Sequence, residues 1–170
     1  AKETVEWYGR VLGMDYTTAF AEDHVPSTGA YDPYMHVFLD AGNGNVLAFF
    51  ELPTKPEMGR DPNTPKWVQH IAFKVADRDT LVAFKEQLEA NGVEVLGVTD
   101  HAIFHSIYFF DPNGHRIELA CPDPEEEAML ARLDAVKWEM LEEWSRTKRA
   151  PRHADWLHAK ERGKDVYRSS

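Results

Sequence analysis

The chain has 170 residues, of which 43% are hydrophobic and 28% charged, the balance of a globular protein with one domain or two small modules around a core. Its formal net charge is −10, and residues 1–122 carry nine basic against eighteen acidic side chains, a field that repels phosphate backbones and argues against a nucleic-acid partner. No apolar run reaches the roughly 18 residues of a membrane span, nothing at the start reads as a signal peptide, and one cysteine, Cys121, excludes an internal disulfide, so a cytoplasmic protein is expected.

Residues 2–12 place Val5, Tyr8, Val11 and Leu12 on one helical stripe, stopped by Gly13. A strand is expected at 16–20 and a polar loop at 21–33. A hairpin of 34–40 and 46–51 follows, turning at Asn43-Gly44. Four prolines between 53 and 66 mark a stiff, extended linker. A strand at 68–75 comes next, then a helix capped by Asp77 that runs to Asn91 with Gly92 as its stop. Strands at 94–99, 105–110 and 115–121 complete the stretch. The last two are joined by Asp111-Pro112-Asn113-Gly114, a tight turn.

The order helix, glycine, strand, loop, strand, turn, strand occurs twice. It reads as an internal repeat of a βαβββ unit. The first module covers 1–53 and lacks the strand that opens the second, so a preceding segment carrying that strand is expected. Residues 54–66 link the modules, and the second covers 67–122. The expected fold is α+β, with paired βαβββ modules forming a partly closed sheet and a C-terminal helical extension over 123–170. Asp123, Pro124 and Glu125 to Glu127 supply a helix cap, an initiating proline and an acidic first turn. One helix with an apolar stripe through Met129, Leu133, Val136, Met140, Leu141 and Trp144 is expected to run to about Lys148. A short one is expected over 154–160. The extension is expected to pack on the body or on the partner subunit of a homodimer.

Side chains alternate faces along a strand, so parity carries information. In Gln69–Val75, the residues Ile71, Phe73 and Val75 suit packing under the helix, and His70, Ala72 and Lys74 take the other face. In His115–Cys121, the residues Ile117, Leu119 and Cys121 face the helix, and Glu118 and Ala120 face away. A carboxylate set among strong apolar residues needs a partner. His70 could share a metal ion with Glu118, or the two could form a buried ion pair. His101 reads either as an exposed loop histidine or as a proton carrier in a pocket. Tyr108 reads either as core packing or as a directional donor. His36 shares a strand face with Phe38 and is a candidate pocket residue together with Phe49.

Three segments, WYGRVLGMDY, WVQHIAFKV and SIYFFDPNGHRIELA, resemble the vicinal oxygen chelate superfamily. This superfamily includes glyoxalase I, the bleomycin- and fosfomycin-resistance proteins and the type I extradiol dioxygenases. The resemblance covers about residues 1–122. It implies paired βαβββ units enclosing a divalent metal, with His70 and Glu118 as ligands and a further histidine on the strand preceding the first helix. The stretch from Thr99-Asp100-His101 through Ile107-Tyr108 and Asp111–Gly114 to Glu118 is similar to the extradiol dioxygenase signature. That similarity implies Fe(II), with nickel, zinc or manganese as alternatives, and a catechol-like aromatic with O2 as substrates. It implies that His101 handles protons or oxygen and that Tyr108 binds the substrate hydroxyl. Glu51, in FFELP, resembles the second ligand of glyoxalase I and would mark a lyase or isomerase instead. A binding protein of the bleomycin-resistance kind is the non-catalytic alternative.

Overall fold

The computed structural model describes residues 1–152 and Trp156. The chain runs α1 (Lys2–Leu12), β1 (Tyr16–His24), β2 (Tyr31–Asp40), β3 (Val46–Glu51), β4 (His70–Lys74), α2 (Arg78–Ala90), β5 (Leu96–Asp100), β6 (Phe104–Phe110), β7 (Arg116–Pro122), α3 (Glu126–Asp134) and α4 (Lys137–Thr147). It is an α+β architecture with two sheets, one in the order β1-β2-β3 and one in the order β4-β7-β6-β5. Among the described residues no helix is long and apolar enough to cross a membrane. The chain packs as two compact units that interleave along the sequence. The first comprises Ala1–Ile71, Glu86–Glu94 and Phe109–Ile117, and the second comprises Ala72–Lys85, Val95–Tyr108 and the chain from Glu118.

In the first unit the stripe expected on α1 holds in part: Val5 and Leu12 are only half-buried, and Thr4 and Trp7 are buried beside it. Tyr8 and Val11 are fully buried, as are Val37 and Leu39 of β2. The Trp7 and Tyr8 rings meet edge to face at 4.9 Å. The Tyr8 hydroxyl donates to Asp111 Oδ2 at 3.0 Å, and Asp111 Oδ1 accepts the backbone N–H of Asn113 at 3.0 Å and of His115 at 2.7 Å. One carboxylate thus closes the tight turn and satisfies the buried phenol. Burial, with Asp111 beside it, pushes the Tyr8 phenol well above its ordinary value of 10.0. Gln87 Nε2 donates to the carbonyls of Arg10 and Val11 at 3.2 and 3.1 Å, satisfying acceptors that the end of α1 leaves open.

The hairpin of β2 and β3 turns at Asn43-Gly44, with Asp40 opposite Val46. β1 continues to His24 and β2 starts at Tyr31, which corrects the loop expected over 21–33. Ala21 and Glu22 pair with Met35 and Tyr34, and this end of β1 is solvent-exposed. Ladder hydrogen bonds rather than burial form it, so no hydrophobic alternation announces it.

In the second unit Leu81, Ile107, Leu119 and Cys121 are buried. Asp77 caps α2 by accepting the Thr80 N–H at 2.8 Å. Two expectations need correction. Ile71 is 37% exposed rather than packed under a helix, because β4 ends the strand order of its sheet and an edge strand is covered less. The single helix expected to Lys148 is two, separated at Ala135 and Val136, where Val136 takes φ −124° outside the helical well. Of the expected stripe Met129 is buried, whereas α4 buries no residue. The helix expected over 154–160 lies outside the described residues apart from Trp156.

Candidate active site

Three of the residues singled out from the sequence converge within the second unit. Ser106 and Tyr108 lie two apart on β6 and share a face; Glu118 on β7 meets both. The Ser106 hydroxyl donates a short hydrogen bond to Glu118 Oε1, and the Tyr108 hydroxyl donates to the same oxygen at 3.1 Å. Tyr108 Oη in turn lies 2.8 Å from His101 Nε2. The result is a row, His101, Tyr108, Glu118, in which a carboxylate only 5% exposed has hydroxyl donors placed on one oxygen. Burying a carboxylate requires such donors.

Local chemistry aims each member. His101 sits in the short β5–β6 connection, where its backbone N–H bonds the Phe104 carbonyl at 2.9 Å and Asp100 Oδ1 accepts the Ala102 N–H at 2.7 Å. The loop is therefore pinned on both sides of the imidazole. His105 has the opposite parity to Tyr108 and lies 3.9 and 3.6 Å from the carboxylates of Asp100 and Asp123, away from the row. Glu118 lines a recess of about 300 Å³ together with Ala72, Lys74, Phe104 and Ala120, and with Phe73 and Cys121, which parity assigns to the helix side. Lys74 pairs with Glu126 at 3.5 Å, and Glu126 lines the recess too, so the C-terminal extension contributes a wall.

Two contributors escaped the sequence reading. Ser106 could have been found from its parity with Tyr108. Gly97 has φ +110°, and a β-carbon there would lie 2.6 Å from the Ser106 carbonyl oxygen; only glycine lets β5 approach β6 at this point.

The other candidates fall in the first unit. His70 is exposed and its Nδ1 lies 3.1 Å from the Val68 carbonyl. That contact favours the tautomer with hydrogen on Nδ1, which makes Nε2 the nitrogen suited to a metal. Glu118 is a hard oxygen donor and His70 an imidazole donor, so both fit the chemistry of a divalent cation. Among the described residues no group of three or more His, Cys, Asp or Glu side chains could hold a metal ion.

The register of β2 and β3 separates the two candidate pocket residues His36 and Phe49 and puts Glu51 on the face of Phe49. Val37 stands opposite Phe49, Met35 opposite Glu51 and His36 opposite Phe50, and directly opposed residues share a face. Phe49 therefore lies with buried Val37 on the α1 side, its ring 5.2 Å from that of Tyr8, and Glu51, two residues on, shares that side. His36 stands on the other face, stacked on Phe50 at 3.7 Å beside Phe38 at 4.1 Å. Parity within VLAFFE could not settle this, because both faces of that strand are apolar.

A sequence profile of the Glyoxalase/Bleomycin resistance protein/Dioxygenase superfamily matches residues 1–119. Over 88 residues, 52% of the chain, the sequence is 27% identical to a Bacillus subtilis (strain 168) protein named "Putative ring-cleaving dioxygenase MhqA", and the match spans 28% of that relative's length. Among solved structures, the trypanothione-dependent glyoxalase I of Leishmania major has a TM-score of 0.55 at 23% identity, covering 81% of this chain and 88% of that one. The fosfomycin resistance protein FosX of Listeria monocytogenes has a TM-score of 0.51 at 19% identity, with 74% and 87% covered. A glyoxalase family protein from Enterococcus faecalis has 0.50 at 25% identity, with 71% and 87% covered.

Proposed function

We propose that this chain, which belongs to the Glyoxalase/Bleomycin resistance protein/Dioxygenase superfamily, is a ring-cleaving dioxygenase of the extradiol type that acts on a catechol-like aromatic and O2. The observation that carries the reading is the hydrogen-bonded row His101, Tyr108, Glu118. The relative named for ring cleavage supports the same reaction class. Glu51 on the α1 side supports it over the glyoxalase-type alternative, in which Glu51 would be a ligand.

His70 and Glu118 are the proposed ligands of a divalent metal, Fe(II) first, an assignment that rests on their sequence pattern and donor chemistry. When bound, the metal supplies the centre at which vicinal oxygens and O2 come together. The chain's own groups handle protons. A phenol has one hydrogen to give, and Tyr108 directs it to Glu118, so His101 donates from Nε2 to the Tyr108 oxygen. His101 takes the proton that a catechol hydroxyl loses on binding and returns it to the ring-opened product. Tyr108, half-buried, orients the substrate oxygen.

The test is reconstitution. The purified protein is loaded anaerobically with Fe(II) and mixed with a panel of catechols while O2 uptake and ring-fission products are followed. One O2 consumed per ring opened is the expected result. Stable metal binding with no O2 uptake on any catechol would end the proposal.

A further inference from the structure

We propose that a second recess, built wholly from residues of the first unit, binds the carboxylate of an aromatic acid. The recess holds about 310 Å³ and is lined by Arg60, Arg116, His70, His115, Met58 and Ile71. In a chain of net charge −10, this concavity is lined by two arginines against one aspartate, Asp61, a net positive formal charge. The Arg60 guanidinium carbon lies 5.0 Å over the Phe110 ring, a stacking that restrains its plane.

Asp61 also lines the recess, and each of its oxygens accepts one hydrogen bond from its own loop. Oδ1 accepts the Asn63 N–H at 2.9 Å and Oδ2 accepts the Thr64 hydroxyl at 2.6 Å. A planar carboxylate matches the guanidinium fork, which donates two parallel hydrogen bonds to it. Met58 and Ile71 supply apolar surface for a ring. The volume lies at the small end of ligand pockets and suits a single substituted ring.

His70 is also the proposed metal ligand, so the acid binds beside it. The step from anion recess to substrate class, a catechol bearing a carboxylate, rests on the dioxygenase reading. The recess itself does not.

Calorimetric titration of the full chain, with no metal added, uses benzoate, its neutral isostere benzamide and inorganic phosphate. Benzoate is expected to bind at least tenfold tighter than benzamide. Arg60→Gln and Arg116→Gln should each weaken benzoate about tenfold and leave benzamide unchanged. Equal affinity for benzoate and benzamide, or benzoate binding untouched by Arg60→Gln, overturns the proposal. Phosphate binding tighter than benzoate overturns the carboxylate assignment. Arg116 lies on β7, so thermal melting checks that variant, and Arg60→Gln in the linker decides alone if Arg116→Gln unfolds. Benzoate binding as expected in a protein that cleaves no catechol would sink the dioxygenase reading and leave the recess standing. Turnover of neutral catechols without benzoate binding would do the reverse.

Discussion

The Tyr108 hydroxyl stands between two groups of opposite character, 3.1 Å from Glu118 Oε1 and 2.8 Å from His101 Nε2. Because Ser106 donates to the same Glu118 oxygen, that oxygen is saturated with donors, and the carboxylate is held in place from one side. A fixed carboxylate, a phenol and an imidazole thus stand in one hydrogen-bonded series.

Tyr108→Phe removes the link and keeps the ring. Under the dioxygenase reading, turnover should fall by about 10²- to 10⁴-fold, the range of a lost general acid–base contribution. Bound metal should be unchanged, since Ser106 still holds Glu118. His101→Gln should act in the same direction. Single-turnover kinetics with metal analysis on the same sample separate the two readouts; loss of metal in Tyr108→Phe would show that the phenol is structural.

Glu118→Gln keeps an acceptor for both hydroxyls and removes the charge. The protein should stay folded and lose its divalent metal, as should His70→Ala. Glu118→Ala leaves the buried Ser106 hydroxyl without its acceptor and should also destabilise by about 1–3 kcal/mol. Metal content by mass spectrometry and chemical denaturation check the pair. Retained metal in both Glu118→Gln and His70→Ala would remove these residues from the ligand set.

Glu51 lies on the α1 side of β3, so Glu51→Gln should keep metal and change turnover by no more than about twofold. A loss of two orders of magnitude, on the scale of a catalytic base, would instead favour the glyoxalase-type alternative.

Tyr8→Phe deletes a fully buried hydrogen bond to a carboxylate and should cost about 1.5–3 kcal/mol. Its pH dependence has a definite sign. The folded phenol titrates above the ordinary 10.0, so below pH 10 it is protonated in both states and its contribution is complete. Above pH 10 the unfolded chain releases the proton and the folded protein does not, so stability falls as pH rises. Denaturation midpoints from pH 8 to 11 should slope downward in the parent protein and more weakly in Tyr8→Phe. Parallel slopes would contradict the assignment.

Much was legible before any coordinates. The stripe of α1, the Asn43-Gly44 hairpin, the Asp77 cap and the Asp111–Gly114 turn are set by neighbours within a few residues, where backbone sterics and local hydrogen bonds act. Parity alone placed Glu118 and Ala120 on the site side of β7 and set Tyr108 opposite His105. Other features depend on partners distant in sequence. Which side of β3 carries Phe49 and Glu51 follows from its pairing with β2, because a strand apolar on both faces has no intrinsic inside. The extension of β1 to His24 comes from ladder bonds that leave no hydrophobic signature. Ser106 became a site residue only when β7 brought Glu118 to it, and Gly97 matters because another strand passes within contact of it. The two arginines of the second recess, Arg60 and Arg116, are 56 positions apart, and no local pattern relates them; only chain folding turns two unremarkable cations into one recess.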